Sequence, residues 1–463
     1  MERARTRGGA LVGVLLASSL GLVACGKDQA PASAAGPFPS TYAPLPSKPT
    51  LIRGATILTG TGARLATAAI LLRDGKVVAL GAEVAAPSDA QVIEAAGRFV
   101  TPGIIDVHSH LGVYPSPNLG AHEDGNEATD PNTAEVWAEH SVWPQDPGFA
   151  HALAGGITSM QVLPGSANLF GGRGVTLKNV PSRTMQGMKF PGAKHGLKMA
   201  CGENPKRVYG GDDRAPSTRM GNVAGYRAAW IKARAYADKR AKAEAGNGEM
   251  PDRDLELETL AGVLAGEIIV HNHCYRADEM AVMIDVAKEF GYRIGTFHHA
   301  VESYKVADLL AKEDVCSAMW ADWWGFKLEA YDGVRENIAL VDAAGACAIV
   351  HSDSATGIQR LNQEAAKAMA SGRRMGLVLA PEHAIRWLTA NAAKSLGVLD
   401  RTGTLEVGKD ADLVLWSRDP FSVYAHADLV FVDGALVWDR VDLKRQPVSD
   451  FMLGILGGRE VRP

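Results

Sequence analysis

Seven residues of this chain pair metal-binding chemistry with a recurring position. His108 and His110 end the apolar run Ile104-Ile105-Asp106-Val107. His271 and His273 follow Glu267-Ile268-Ile269-Val270, His298 and His299 follow Arg293-Ile294-Gly295-Thr296-Phe297, and Asp353 follows Ala348-Ile349-Val350-His351-Ser352. Each run is short, apolar and rich in β-branched residues, the pattern of a buried strand. Side chains on a strand alternate with period two, so His108 and His110 project to one side, and so do His271 and His273; of the adjacent His298 and His299 only one should face inward. Imidazoles and a carboxylate gathered at one point can share a divalent cation, with zinc the default for nitrogen donors. A single His-x-His pair is equally well explained as polar residues at a strand end, and Asp353 alone as a helix cap; the repetition at four strand ends favours a metal site. His351 shares the Asp353 face and is read as packing or support.

The elements that must position these residues follow from the rest of the pattern. Residues 101–402 alternate strand-like and helix-like segments, which predicts an α/β protein of βα units closing as a (β/α)8 TIM-like barrel, a fold that collects chemistry at the C-terminal ends of its strands. After the strand ending near His273, residues 277–291 carry Met280, Met283, Ile284, Ala287 and Phe290 at helical spacing, with Gly291 as the cap. A further helix is expected over residues 303–312. Residues 49–100 and 403–445 read as short strands with Asp74-Gly75 and Asp433-Gly434 turns, predicting a small β-sandwich built from both termini. Two long segments, 111–150 and 203–258, exceed a minimal barrel loop and are expected to shape substrate access. The charged run from Tyr226 to Ala245 is read as a solvated helix.

The 463-residue chain is 46% apolar and 22% charged with a formal net charge of −4, enough to bury a large core and without the basic excess of a nucleic-acid binder. Arg3, Arg5 and Arg7 precede an apolar stretch from Ala10 to Val23 too short for a confident membrane span. Leu22-Val23-Ala24-Cys25 resembles a bacterial lipobox, so residues 1–25 are expected to be a lipoprotein signal peptide, Cys25 the lipidated residue, and residues 26–48 a flexible tether. That places the protein in the bacterial cell envelope, on a periplasmic or outer-surface face, attached to the membrane through lipid. Cys201, Cys274, Cys316 and Cys347 lack paired Cys-x-x-Cys spacing, which disfavours a thiolate zinc site. The compartment permits disulfides, but buried free thiols are the default expectation. Homo-oligomer formation is left open.

His-x-His, then His, then His, then Asp is also the ligand order of the amidohydrolase superfamily. The chain resembles that superfamily over roughly residues 50 to 440, in its imidazolonepropionase-like and dipeptidase-like branch. The resemblance implies His108 and His110 on one metal, His271 and His299 on a second, and Lys198 in Gly196-Leu197-Lys198-Met199-Ala200 as a carboxylated bridge, with Lys178 and Glu203 as other bridge candidates. His299 is preferred to His298 because His-Ala-Val-Glu-Ser-Tyr-Lys resembles the family pattern; His273 remains an alternative to His271, or a substrate contact. Asp353 would bind metal and act as the catalytic proton carrier. Arg173, in the glycine-rich Phe170-Gly171-Gly172-Arg173-Gly174, would hold a substrate carboxylate, and Trp323 would form part of an aromatic wall.

The expected activity is metal-dependent hydrolysis of a C–N bond in a small amide or peptide-like substrate, such as a dipeptide or N-acyl amino acid, with one or two zinc ions. Cyclic-amide hydrolysis, as in imidazolonepropionase, is the first alternative. Deamination fits less well, because His271 is followed by Asn272-His273-Cys274-Tyr275 rather than a nearby glutamate. A catalytically silent surface-binding lipoprotein is the alternative of a different class.

Overall fold

A computed structural model describes residues 38–447. The signal peptide, Cys25 and most of the expected tether therefore lie outside the described residues. The unit Ser40–Pro463 contains every strand and helix among the described residues.

Five strands come first: β1 (Thr50–Leu58), β2 (Arg64–Arg73), β3 (Lys76–Gly81), β4 (Gln91–Glu94) and β5 (Phe99–Pro102). Eight more form the barrel wall: β6 (Ile104–Ser109), β7 (Ile157–Val162), β8 (Phe170–Lys178), β9 (Gly196–Ala200), β10 (Ile269–Cys274), β11 (Ile294–His299), β12 (Cys316–Met319) and β13 (Cys347–Val350). They hydrogen-bond in sequence order from β6 to β13, giving a nearly closed, barrel-shaped sheet. Across the remaining gap, the Asp353 N–H donates to the His108 carbonyl at 3.0 Å and the Ser352 N–H to Asp106 Oδ1 at 3.2 Å. These two bonds carry Asp353 to the end of β6, beside the first histidine pair.

The barrel departs from the expected repeat at β8, which runs antiparallel to both β7 and β9. Only residues 163–169 connect β7 to β8, too short for a crossover helix, so the chain folds back instead. Elsewhere the helical reading holds. The helix Ala277–Phe290 buries Met280, Met283, Ile284 and Ala287, and Gly291 caps it in the left-handed region at φ 72°. The segment expected as one helix over 303–312 is a 3₁₀ turn, Ser303–Val306, followed by a helix, Ala307–Lys312. The charged run forms the helix Arg219–Glu244, but it is not merely solvated: Tyr226, Ala229, Trp230, Ala233 and Tyr236 form a buried stripe at helical spacing.

The last strands are β14 (Leu413–Trp416), β15 (Ala427–Val432) and β16 (Ala435–Asp439). They join the first five in one sheet of order β16-β15-β14-β5-β1-β2-β3, with β4 on β1. Both ends of the chain thus build one hydrogen-bonded sheet, joined where β5 pairs antiparallel with β14. Its attachment to the barrel is ionic as well as apolar. Lys178, at the end of β8, is fully buried and donates to Asp433 Oδ1 at 2.6 Å, Asp410 Oδ2 at 2.9 Å and Asp412 Oδ2 at 3.3 Å. The stretch read as a tether is fastened within its second half: Ser40 Oγ donates to the Lys189 carbonyl at 2.6 Å, and the Tyr42 hydroxyl to Asp433.

The four cysteines do not remain free thiols. Cys201 pairs with Cys274 and Cys316 with Cys347, each disulfide joining neighbouring barrel strands or their ends. No helix among the described residues is long and apolar enough to cross a membrane.

Candidate metal centre

His108 is fully buried at the end of β6, and His110, one residue beyond that strand, is partly exposed in the mouth. His110 Nε2 lies 3.2 Å from Asp353 Oδ1, and His108 Nε2 lies 3.7 Å from the same oxygen. His110 Nδ1 is 2.8 Å from the Leu163 carbonyl. A carbonyl can only accept, so Nδ1 donates its proton there and Nε2 is the ring nitrogen turned to the carboxylate. Two acceptors at that distance need a proton or a cation between them.

The other strands supply more unsatisfied nitrogens. His299 Nδ1 lies 3.9 Å from Asp353 Oδ2 and has no hydrogen-bond partner; nor do His351 Nδ1 and both nitrogens of His273, all of them buried. Buried polar atoms are normally paired, so this group of imidazoles fits a metal. Two sets of donor atoms lie close enough to share one ion, His108 with His110 and Asp353, and His108 with His299 and His351. Burial pushes His351 down to about 3 and holds His108, His273 and His299 well below the usual imidazole range. Neutral imidazole is the form that ligates.

His271 and His273 share a face of β10 but sit at different depths, opposite Lys198 and Ala200 respectively. His271 is saturated in the barrel interior: Nδ1 lies 2.9 Å from His298 Nε2, and Nε2 lies 3.3 Å from Gln161 Nε2. A Cβ on Gly196 would meet the His271 ring at 2.8 Å, so only glycine fits beneath it. His273 stands nearer the mouth, its ring 4.5 Å from that of His299.

Both His298 and His299 turn inward, against the expectation for adjacent strand residues. His298 spans His108 Nδ1 and His271 Nδ1, each at 2.9 Å. His299 ends the strand with φ 67°, a left-handed conformation that breaks the alternation and swings its ring toward Asp353. Asp353 is itself left-handed at φ 48°, and such strained residues cluster at functional sites.

Lys198 is completely buried, 3.3 Å from His108 Nε2 and 3.1 Å from the Pro164 carbonyl. Desolvation lowers its ammonium to about 7, partly opposed by Asp353. The other bridge candidates lie elsewhere: Lys178 is locked among three aspartates, and Glu203 opens the helix Glu203–Gly210, 3.5 Å from Lys327. Burial raises the Asp353 carboxyl, but its hydrogen bond to His110 and the charges of His110, His351 and Lys198 more than offset this and bring it below the usual range.

Arg173 does not join the cluster. Its Nε donates to Thr259 at 2.8 Å and its guanidinium stacks 4.1 Å from the Trp137 ring centroid. Trp323 is half-exposed and stacks on Trp320 at 5.2 Å, and Trp320 stacks on His299 at 4.3 Å, so an aromatic wall does lead from the histidines to the surface.

Several participants carry no signal that sequence reasoning picks out. Asp106 accepts from the Ser352 hydroxyl, the Ser352 N–H and the His108 N–H at 3.1 Å, tying both flanks of the site together; burial lifts it to about 7. Its place two residues before His108 in a buried strand is the nearest thing to a clue. Tyr275, stacked on His299 at 5.2 Å, lies beside residues that the sequence does single out but has no pattern of its own.

A barrel that gathers buried histidines, a lysine and an aspartate at one mouth defines a class of metal-binding barrel proteins. Residues 99–441 match the amidohydrolase family, and the chain belongs to it. It is 34% identical over 432 residues to the amidohydrolase tasK of Hapsidospora irregularis, covering 85% of this chain and 43% of that protein, so it spans less than half of that relative. It is 26% identical over 378 residues to an imidazolonepropionase of Mesorhizobium japonicum, covering 75% of this chain and 86% of that one. Among solved structures, an amidohydrolase from Thermotoga maritima MSB8 superposes with a TM-score of 0.79 at 36% identity, over 84% of this chain and 100% of that chain.

Proposed function

We propose that this protein is a metal-dependent hydrolase of C–N bonds, acting on a small amide or peptide-like substrate such as a dipeptide or an N-acyl amino acid. The observation that carries this reading is the meeting of His108, His110 and Asp353 at one point, their donor atoms close enough to share one ion and His110 Nε2 only 3.2 Å from Asp353 Oδ1. His108, His110, His273, His299 and Asp353 are the residues proposed to hold metal, with Lys198 as a bridge between two ions when carboxylated. His273 takes the place expected for His271, because its nitrogens are unspent while those of His271 are bonded within the core. A divalent ion there, with zinc suited to this donor set, supplies the Lewis acidity that makes water a competent nucleophile near neutral pH.

The remaining chemistry belongs to the chain. Asp353, kept ionised at neutral pH, accepts the proton of the attacking water at a carboxylate oxygen and returns it to the departing amine nitrogen; such general acid–base help is worth about 10²–10⁴-fold. Asp106 and Ser352 fix the backbone on which Asp353 is carried. The Trp320 indole N–H, bonded to the Ser352 carbonyl at 3.1 Å, holds the aromatic wall against the same segment. Burial brings Lys198 down to about 7, so the neutral amine that can react with carbon dioxide is populated near neutral pH.

The imidazolonepropionase relatives support a second reading, hydrolysis of a cyclic amide. Cys25 lipidation, with a cell-envelope location, is the proposed mode of membrane attachment. Screening zinc-loaded protein for amine or ring-opened product across dipeptides, N-acyl amino acids and cyclic amides tests the function. Turnover of an open-chain amide supports the first reading, turnover of cyclic amides alone the second.

A further inference from the structure

A cleft beside the candidate centre has a volume of about 500 Å³, within the range that holds a small ligand, and His351, Ser352, Trp320 and Trp323 line its inner end. Two cations line it further out, and they differ in how they are engaged. Lys367 is bonded to both carboxylate oxygens of Asp322, at 2.8 and 3.0 Å, and to Glu364 at 2.8 Å. Arg360, ending the 3₁₀ turn Gly357–Arg360 that follows Asp353, makes no side-chain hydrogen bond or ion pair among the described residues. The inner end is thus aromatic and beside the proposed catalytic group, and the outer end carries one guanidinium that neighbours Glu364 without a hydrogen bond or ion pair among the described residues. Arg173, the residue expected from sequence to bind a substrate carboxylate, is instead spent on Thr259 and Trp137.

We propose that Arg360 is the anchor for a free substrate carboxylate, so that the substrate is an N-acylated or peptidyl α-amino acid whose bulky apolar or aromatic side chain lies on Trp323. This rests on the C–N hydrolase reading and narrows its substrate class. A planar guanidinium offers paired donors that match a carboxylate, and charge-assisted pairs of this kind discriminate strongly against neutral analogues. A single arginine with Glu364 on the same wall suits a monoanion better than a phosphate dianion. A ligand held at both ends of the cleft has its amide nitrogen left near His351 and Ser352, the residues that flank the chain entering Asp353, where the bond would be cleaved.

The test uses probes that cannot turn over, N-methylsulfonyl-L-phenylalanine and its carboxamide, titrated calorimetrically into zinc-loaded protein. The wild type should bind the acid about 10- to 100-fold more tightly than the amide. Arg360→Gln should bring that ratio close to one while leaving affinity for the amide unchanged, and Arg360→Lys should retain part of it. Trp323→Ala should weaken acid and amide alike. A wild type that does not favour the acid, or an Arg360→Gln protein that still does, overturns the assignment. Because these titrations need no turnover, a protein that shows the Arg360-dependent preference yet hydrolyses nothing in the substrate screen refutes the hydrolase reading and keeps Arg360 as a carboxylate anchor.

Discussion

Lys198 Nζ lies 3.3 Å from His108 Nε2 in a fully buried position, with no carboxylate within ion-pair distance among the described residues. A lone buried ammonium is destabilising, and its pKa near 7 against an unfolded value of 10.5 states how that cost varies with pH. Between those values the unfolded chain binds more protons than the native one, so stability rises with pH. In chelator-treated protein at pH 6, Lys198→Met should therefore stabilise by about 1–3 kcal/mol, and the gain should shrink toward pH 10. The same variant, loaded with zinc, should lose most metal beyond one ion and most activity. Denaturant unfolding at the two pH values, with elemental analysis, checks both halves. A destabilised, fully metallated and active variant would contradict the bridge role.

Lys178 is the contrasting case. Its ammonium answers Asp410, Asp412 and Asp433, so Lys178→Met leaves three carboxylates packed together in the interior. We expect a loss of about 3–5 kcal/mol, easing as the pH falls and the carboxylates protonate, with kcat of the folded fraction unchanged. Unfolding curves measured from pH 4 to pH 8, alongside turnover, check this.

His273 and His271 should separate in the same way. His273→Asn should lower bound metal and activity at least 100-fold without a large change in melting temperature, since its nitrogens have no hydrogen-bond partner among the described residues. His271→Asn should instead cost stability, by removing a ring bonded to His298 and packed on Gly196. Metal stoichiometry and thermal melts of the two variants, run together, decide which histidine ligates.

Residue by residue, the reach of the sequence is clear. The buried strand leading to His108 and His110, the helix with its Gly291 cap and the strand-end position of Asp353 are readable, because each rests on local periodicity or turn chemistry. The choice between His271 and His273 is not, because the two share a face and differ only in depth, which barrel register sets. Period-two alternation also misleads at His298 and His299, since the left-handed turn at His299 depends on packing against Trp320 and Asp353 rather than on local preference. The fold-back of β8 is hidden for a similar reason: a strand's direction is not written in its composition. The Thr259 partner of Arg173 and the aspartates around Lys178 come from segments about 90 and 230–255 residues away, beyond any local pattern.

Cys25 offers an independent check on location. If it is the lipidated residue, Cys25→Ser should yield unprocessed precursor or soluble protein, with no lipid mass on the mature chain. Fractionation and intact mass of the variant beside the wild type measure this, and unchanged membrane attachment would remove the lipoprotein reading.

The central claim is that His108, His110, His273, His299 and Asp353 hold a metal that serves C–N hydrolysis. The most direct measurement follows amine release from an N-acyl amino acid and dipeptide panel before chelation, after it, and after zinc is restored, with Asp353→Asn in parallel. The account predicts activity that is lost on chelation, recovered with zinc, and reduced at least 10³-fold in Asp353→Asn despite normal folding. Hydrolysis that survives complete metal removal, or equal turnover by Asp353→Asn, would contradict it.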